Sequence, residues 1–157
     1  MSTPAEKAYA KHAWVIFFVF GLLSVVTGIA IVAGFLPNPP SPESTTGLTM
    51  DQIAAQVPGI NAYISGLARQ LGNFMVGMGV LLTGVAAVPL RRGETWAWYA
   101  CGIMPVVIVG QLANSFAISN FTSGGFLWQL DLASLLVVLA GLLVSYRKFF
   151  PKDRVAP

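Results

Sequence analysis

Four apolar stretches, Ala13–Leu36, Gln70–Leu90, Trp96–Ile118 and Phe126–Tyr146, run 21 to 24 residues apiece. About 20 apolar residues cross the hydrocarbon core of a bilayer as a helix, so each stretch is a candidate span. Together they fill most of a 157-residue chain. The expected fold class is therefore all-α, a four-transmembrane-helix bundle running up-down-up-down. It forms one integral membrane domain over residues 1–157, with a short outer-surface helix inside the loop at 37–69.

Charge sets the expected orientation. Only 10% of the residues are charged, against about 25% in a soluble domain. The basic pI, near 9.3, would suit a nucleic-acid partner, but the positions of the basic residues argue otherwise. Lys7, Lys11, Arg91, Arg92, Arg147, Lys148, Lys152 and Arg154 occupy the two chain ends and the second connection, and only Arg69 lies by the first. With four spans, those three regions share one side. The positive-inside rule then puts both termini in the cytoplasm. Lys7 and Lys11 before an apolar run would also fit a secretory leader, yet the run is 24 residues long, beyond the roughly 7–15 of a cleavable apolar region. It reads as a retained helix.

Several chemistries are disfavoured. Cys101 is the single cysteine, which removes intramolecular disulfides and the paired-cysteine chemistry of quinone-linked disulfide enzymes. His12 is the single histidine, so axial haem ligation and a His/Cys/carboxylate metal cluster lack ligands. No catalytic residue, metal or cofactor is expected. A small multidrug exporter would need an acid in the first span, where this chain has none.

Local signals punctuate the spans. Trp14 holds an aromatic-belt position at the inner interface. Ser24 and Gly28 are four apart on one face of the first span, and Gly72, Gly77, Gly79 and Gly84 stud the second with Met75 and Met78. Small residues let helices approach closely, although a methionine-lined pocket is the sharper reading. Four prolines between Pro37 and Pro42 predict an extended path through Ser44. Thr49 and Gln52 form a capping box that starts a short helix, and Pro58-Gly59 ends it. The segment from Ile60 is again apolar and feeds into the second span, whose outer boundary can therefore reach residue 60. Pro105 should kink the third span. A short outer turn is expected at Asn120–Gly125.

Arg91-Arg92-Gly93-Glu94-Thr95-Trp96-Ala97-Trp98-Tyr99, followed by Pro105, is the most distinctive string. With the capping-box helix, Pro58-Gly59 and the glycine-rich second span, it resembles a broad group of small bacterial four-helix membrane proteins. The resemblance covers roughly residues 48–105. It implies the fold and a bacterial plasma membrane, and it carries no catalytic residue. The string has its own logic as an anchor. Arg91 and Arg92 meet anionic headgroups, at about 1 kcal/mol each. Glu94 suits a helix N-terminus, Thr95 can cap it, and Trp96, Trp98 and Tyr99 set its depth.

Asp131 is the one acid within a span, and an intramembrane ionisable group is a functional hypothesis by default. Counting ~1.5 Å per residue from the cytoplasmic ends puts Asp131 and Gln111 about 22 Å up, Asn73 about 24 Å and Thr27 about 21 Å. Arg69 lies one turn above Asn73, and Asn114 and Ser115 extend the polar face of the third helix. Two readings stay open. In one, Arg69 pairs with Asp131 and the amides satisfy the rest. In the other, the layer binds a small polar ligand or relays a proton. The corresponding functions are an accessory or scaffold subunit of a membrane assembly, and lipid or polar-ligand binding or proton-coupled transport around Asp131. An enzyme using Asp131 as a lone acid or base is a third. The expected partners are the lipid bilayer and other membrane subunits or further copies of the chain.

Overall fold

The computed structural model describes residues 12–35, 42–117 and 127–150. The proline run at 37–41, the outer turn at 120–125 and both chain ends lie outside the described residues. Among those described, the helices are α1 (Trp14–Val32), α2 (Glu43–Thr46), α3 (Met50–Gln56), α4 (Ile60–Val85), α5 (Thr95–Cys101), α6 (Ile103–Ala117) and α7 (Leu127–Phe149). Four helical stretches are long and apolar enough to cross a membrane: Trp14–Val32, Ile60–Leu90, Thr95–Ala117 and Trp128–Tyr146.

The helix ends follow from local chemistry. After α1, Gly34 takes φ 92°, so Phe35 N–H reaches Ala30 O at 2.9 Å and Gly34 N–H reaches Ile31 O at 3.0 Å. This is a Schellman close, and it stops the helix short of the expected Leu36. The same device recurs at Gly93, φ 85°, where Glu94 N–H bonds Pro89 O and Gly93 N–H bonds Leu90 O. The capping box forms as expected. Gln52 N–H donates to Thr49 Oγ1 at 3.3 Å, and Thr49 N–H donates to Gln52 Oε1 at 2.8 Å.

The second span begins at Ile60, the limit that the apolar segment after Pro58-Gly59 allowed, because no helix breaker follows Gly59. Three details differ from the sequence reading. Residues Glu43–Thr46 form one helical turn after Pro42 instead of an extended path, since a proline at a helix start forfeits only a donor that has no partner there. Thr95 does not cap the third span. Glu94 stands at that position, without a side-chain capping bond. Pro89 sits in a π-helical turn, Ala86–Leu90; its missing N–H and its ring disfavour the regular bond to Val85. Pro105 acts as anticipated, with the third span interrupted at Gly102 between α5 and α6.

Among the described residues the long helices pack chiefly as two pairs, α1 with α4 and α6 with α7. Gly21 and Gly28 of α1 face Gly79 and Gly72 of α4. A Cβ built on Gly28 would lie 2.6 Å from Gly72 O, and one on Gly79 would lie 2.7 Å from Gly21 O. No side chain fits between these backbones. The seam thus uses Gly21 and Gly28; Ser24, between them, bonds its own Phe20 carbonyl. In the second pair, α6 packs along α7. The two pairs join through an apolar core of Phe17, Leu82, Ala86, Leu90, Ala97, Cys101, Ile108, Val138, Leu142 and Phe149. Phe17, fully buried, lies against Gly141 of α7. Most of these core residues belong to the half of each span nearest the short Arg91–Glu94 connection.

We expect Gly28→Val to lower stability by about 1–3 kcal/mol, the usual range for overpacking. Gly110→Ala, where an added Cβ meets nothing within 4 Å, should be neutral or stabilising by up to about 1 kcal/mol. Thermal unfolding in detergent measures both.

Candidate functional site

The polar centre of the spans is a contact between α6 and α7. Asp131 lies seven residues before Val138, and Val138, Leu142, Ser145 and Phe149 form the buried stripe of α7. Ser115 lies seven residues beyond buried Ile108 and is itself 6% exposed. These two registers bring Ser115 Oγ to Asp131 Oδ2, to which it donates at 3.2 Å. Asp131 is half-buried.

The remaining members of the expected layer do not converge on Asp131. Thr27, Arg69, Asn73, Gln111 and Asn114 are all exposed. Among the described residues no ion pair joins Arg69 to Asp131. For three of them the cause is helix rotation. Thr27 precedes Gly28, Asn73 follows Gly72 and Asn114 precedes Ser115, and each of those neighbours is buried. Adjacent helical residues point about 100° apart. Turning the glycines and the serine inward therefore turns the three polar side chains away.

A second polar cluster ties together the span ends beside the Arg91–Glu94 connection. Trp98 Nε1–H is within reach of Leu142 O at 3.2 Å and Ser145 Oγ at 3.1 Å. Trp98 packs edge-on against Tyr99, Tyr146 and Phe150. Of the expected interfacial anchors, Trp96 and Tyr99 are exposed, at 54% and 59%, and Trp96 Nε1–H donates to Glu94 at 2.7 Å. Trp98 instead locks the third span to the fourth. Arg91 places its guanidinium 5.3 Å from the ring centre of Trp14, linking the second connection to the start of the first span. Arg92 is exposed.

Lys148 completes this end. Its ammonium donates to Leu90 O at 3.2 Å and Arg91 O at 3.1 Å, carbonyls of the last turn of the second span, the first of which also accepts from Gly93 N–H. A cation there also complements the helix dipole. Burial pushes the Lys148 pKa below the usual lysine value. Lys148 and Ser145 were not singled out from the sequence as tying groups. The signal that could have found them is their place on the Val138–Phe149 stripe.

Among the described residues no group of three or more His, Cys, Asp or Glu could hold a metal ion. Comparisons with family models, curated proteins and solved structures give no match.

A double-mutant cycle should separate the two candidate partners of Asp131. With stability in detergent as the measure, Ser115→Ala and Asp131→Asn should couple by about 0.6–1.7 kcal/mol, the span of measured intramembrane hydrogen bonds. Arg69→Ala and Asp131→Asn should be additive. The reverse pattern would restore the ion pair.

Proposed function

We propose that this chain is a multi-pass protein of a bacterial plasma membrane that serves as an accessory or scaffold subunit in a membrane assembly. In this reading the spans run up-down-up-down, both termini are cytoplasmic, and α3 lies on the outer surface. The observation that carries it is the exposure of the polar groups. The buried core residues are apolar apart from Ser115 and Ser145, whereas Asn73, Gln111, Asn114 and Thr27 are exposed. Amides at hydrocarbon depth suit neighbouring helices better than lipid. Arg91, Arg92, Trp96 and Tyr99 supply the anchoring that such a subunit needs at the inner interface.

One observation favours a second reading. Asp131 carries a single hydrogen bond, from Ser115, and no cation is paired with it among the described residues. An acid in that setting is suited to exchanging a proton or binding a small polar ligand or lipid group.

Reporter fusions at Ser41 and at the C-terminus should report opposite sides of the membrane. A C-terminus outside would remove one span from the arrangement. After mild-detergent extraction from native membranes, the tagged chain should migrate well above its 16.7 kDa mass, together with protein partners. A solitary chain whose Asp131→Asn variant loses a proton-dependent flux would instead establish the second reading.

A further inference from the structure

On α4, the exposed residues opposite α1 form a face of their own. Asn73, Gly77 and Gly84 lie on it, with Gln70 one turn further out, and all four are exposed. Around the helix, Gly77 and Gly84 stand roughly 120–160° from Gly72 and Gly79. Thus α4 has two glycine pairs of equal spacing on opposite sides. α1 fills the first pair, whereas a Cβ added at Gly77 or Gly84 meets nothing within 4 Å.

The amide of Asn73 says what this face requires. It has no hydrogen-bond partner among the described residues. Counted from Pro89 it lies about 24 Å up, inside a core ~30 Å thick. An unpaired amide in hydrocarbon is costly, so the face calls for a partner bearing both a donor and an acceptor at that depth. A carboxamide has both, and an identical carboxamide is its complement. Copies inserted with the same orientation and related by a two-fold axis along the membrane normal bring Asn73 to Asn73 at one level. The same operation brings Gly77 to Gly77 and Gly84 to Gly84, where the absence of side chains allows a close crossing.

We propose that α4 is a self-association helix: two copies of the chain pack in parallel through Asn73, Gly77 and Gly84, and the two Asn73 amides exchange hydrogen bonds. This rests on the membrane-spanning reading above and names one partner of the scaffold. The α1 face of α4 stays within each copy, so the dimer uses surface that the monomer leaves open.

Oxidative cross-linking of the full chain in dilute phospholipid bilayers tests the proposal. Leu81, exposed on the dimer face, and Leu71, exposed about 80° from it around the helix, provide the pair of probes. Leu81→Cys should give a disulfide-linked dimer, while Leu71→Cys and the unaltered chain, with its buried Cys101, should not. Asn73→Leu in the Leu81→Cys background should weaken association about 3- to 30-fold, with partial recovery in Asn73→Gln. Gly77→Ile should abolish the cross-link. Equal cross-linking at both probe positions, or no effect of Asn73→Leu, would overturn the proposal. Alkaline carbonate extraction separates this outcome from failure of the membrane reading. A chain retained in the bilayer without a Leu81 cross-link sinks the dimer alone, and a chain released by carbonate sinks the membrane reading itself.

Discussion

The contact on which the arrangement depends is the backbone-to-backbone seam between α1 and α4. Helices in a bilayer gain little from the hydrophobic effect when they meet, because lipid tails are as apolar as their side chains. Dispersion contacts and close approach have to replace it. Gly21 and Gly28 against Gly79 and Gly72 provide that approach, with distances that leave no space for a methyl group. The seam also fixes the rotation of both helices. Once Gly28 and Gly72 face one another, the directions of Thr27 and Asn73 are settled.

The second pair of helices is joined by different means. Its interface has hydrogen bonds at two levels: Ser115 to Asp131 in the half away from the Arg91–Glu94 connection, and Trp98 with Ser145 and the Leu142 carbonyl in the half beside it. Such bonds are each worth little in a membrane, on average about 0.6 kcal/mol. Their value lies in register, since sliding one helix by a residue separates both. Lys148 then fastens this pair to the first by capping the end of the second span, and Arg91 stacks on Trp14 beside it. Polar chemistry of the connection and apolar packing of Phe17, Ala86 and Leu142 therefore reinforce one end of the molecule.

Much of this was legible in the chain. Apolar length gave four spans, and the Thr49/Gln52 spacing gave a capped helix. Pro105 gave an interruption, and Pro58-Gly59 marked where one helix ends and the next begins. These are local effects, set by a few neighbouring residues. The turn at Glu43 and the π turn at Pro89 were not anticipated, although both are also local. In each the proline is accommodated by the geometry of a helix end or a widened turn, and the residue type alone does not say which.

What the sequence determined by itself is depth. Rise per residue along a helix is nearly constant, so counting put Asp131, Gln111, Asn73 and Thr27 at one level. What only the tertiary structure decided is azimuth, the direction in which each helix turns those residues. Azimuth is set by which face packs best against a neighbour, a property of two helices jointly. The glycine seam and the Ile108–Ser115 register claimed the inward faces. Asp131 consequently met Ser115, while Asn73 and Asn114, next in sequence to buried Gly72 and Ser115, were left exposed.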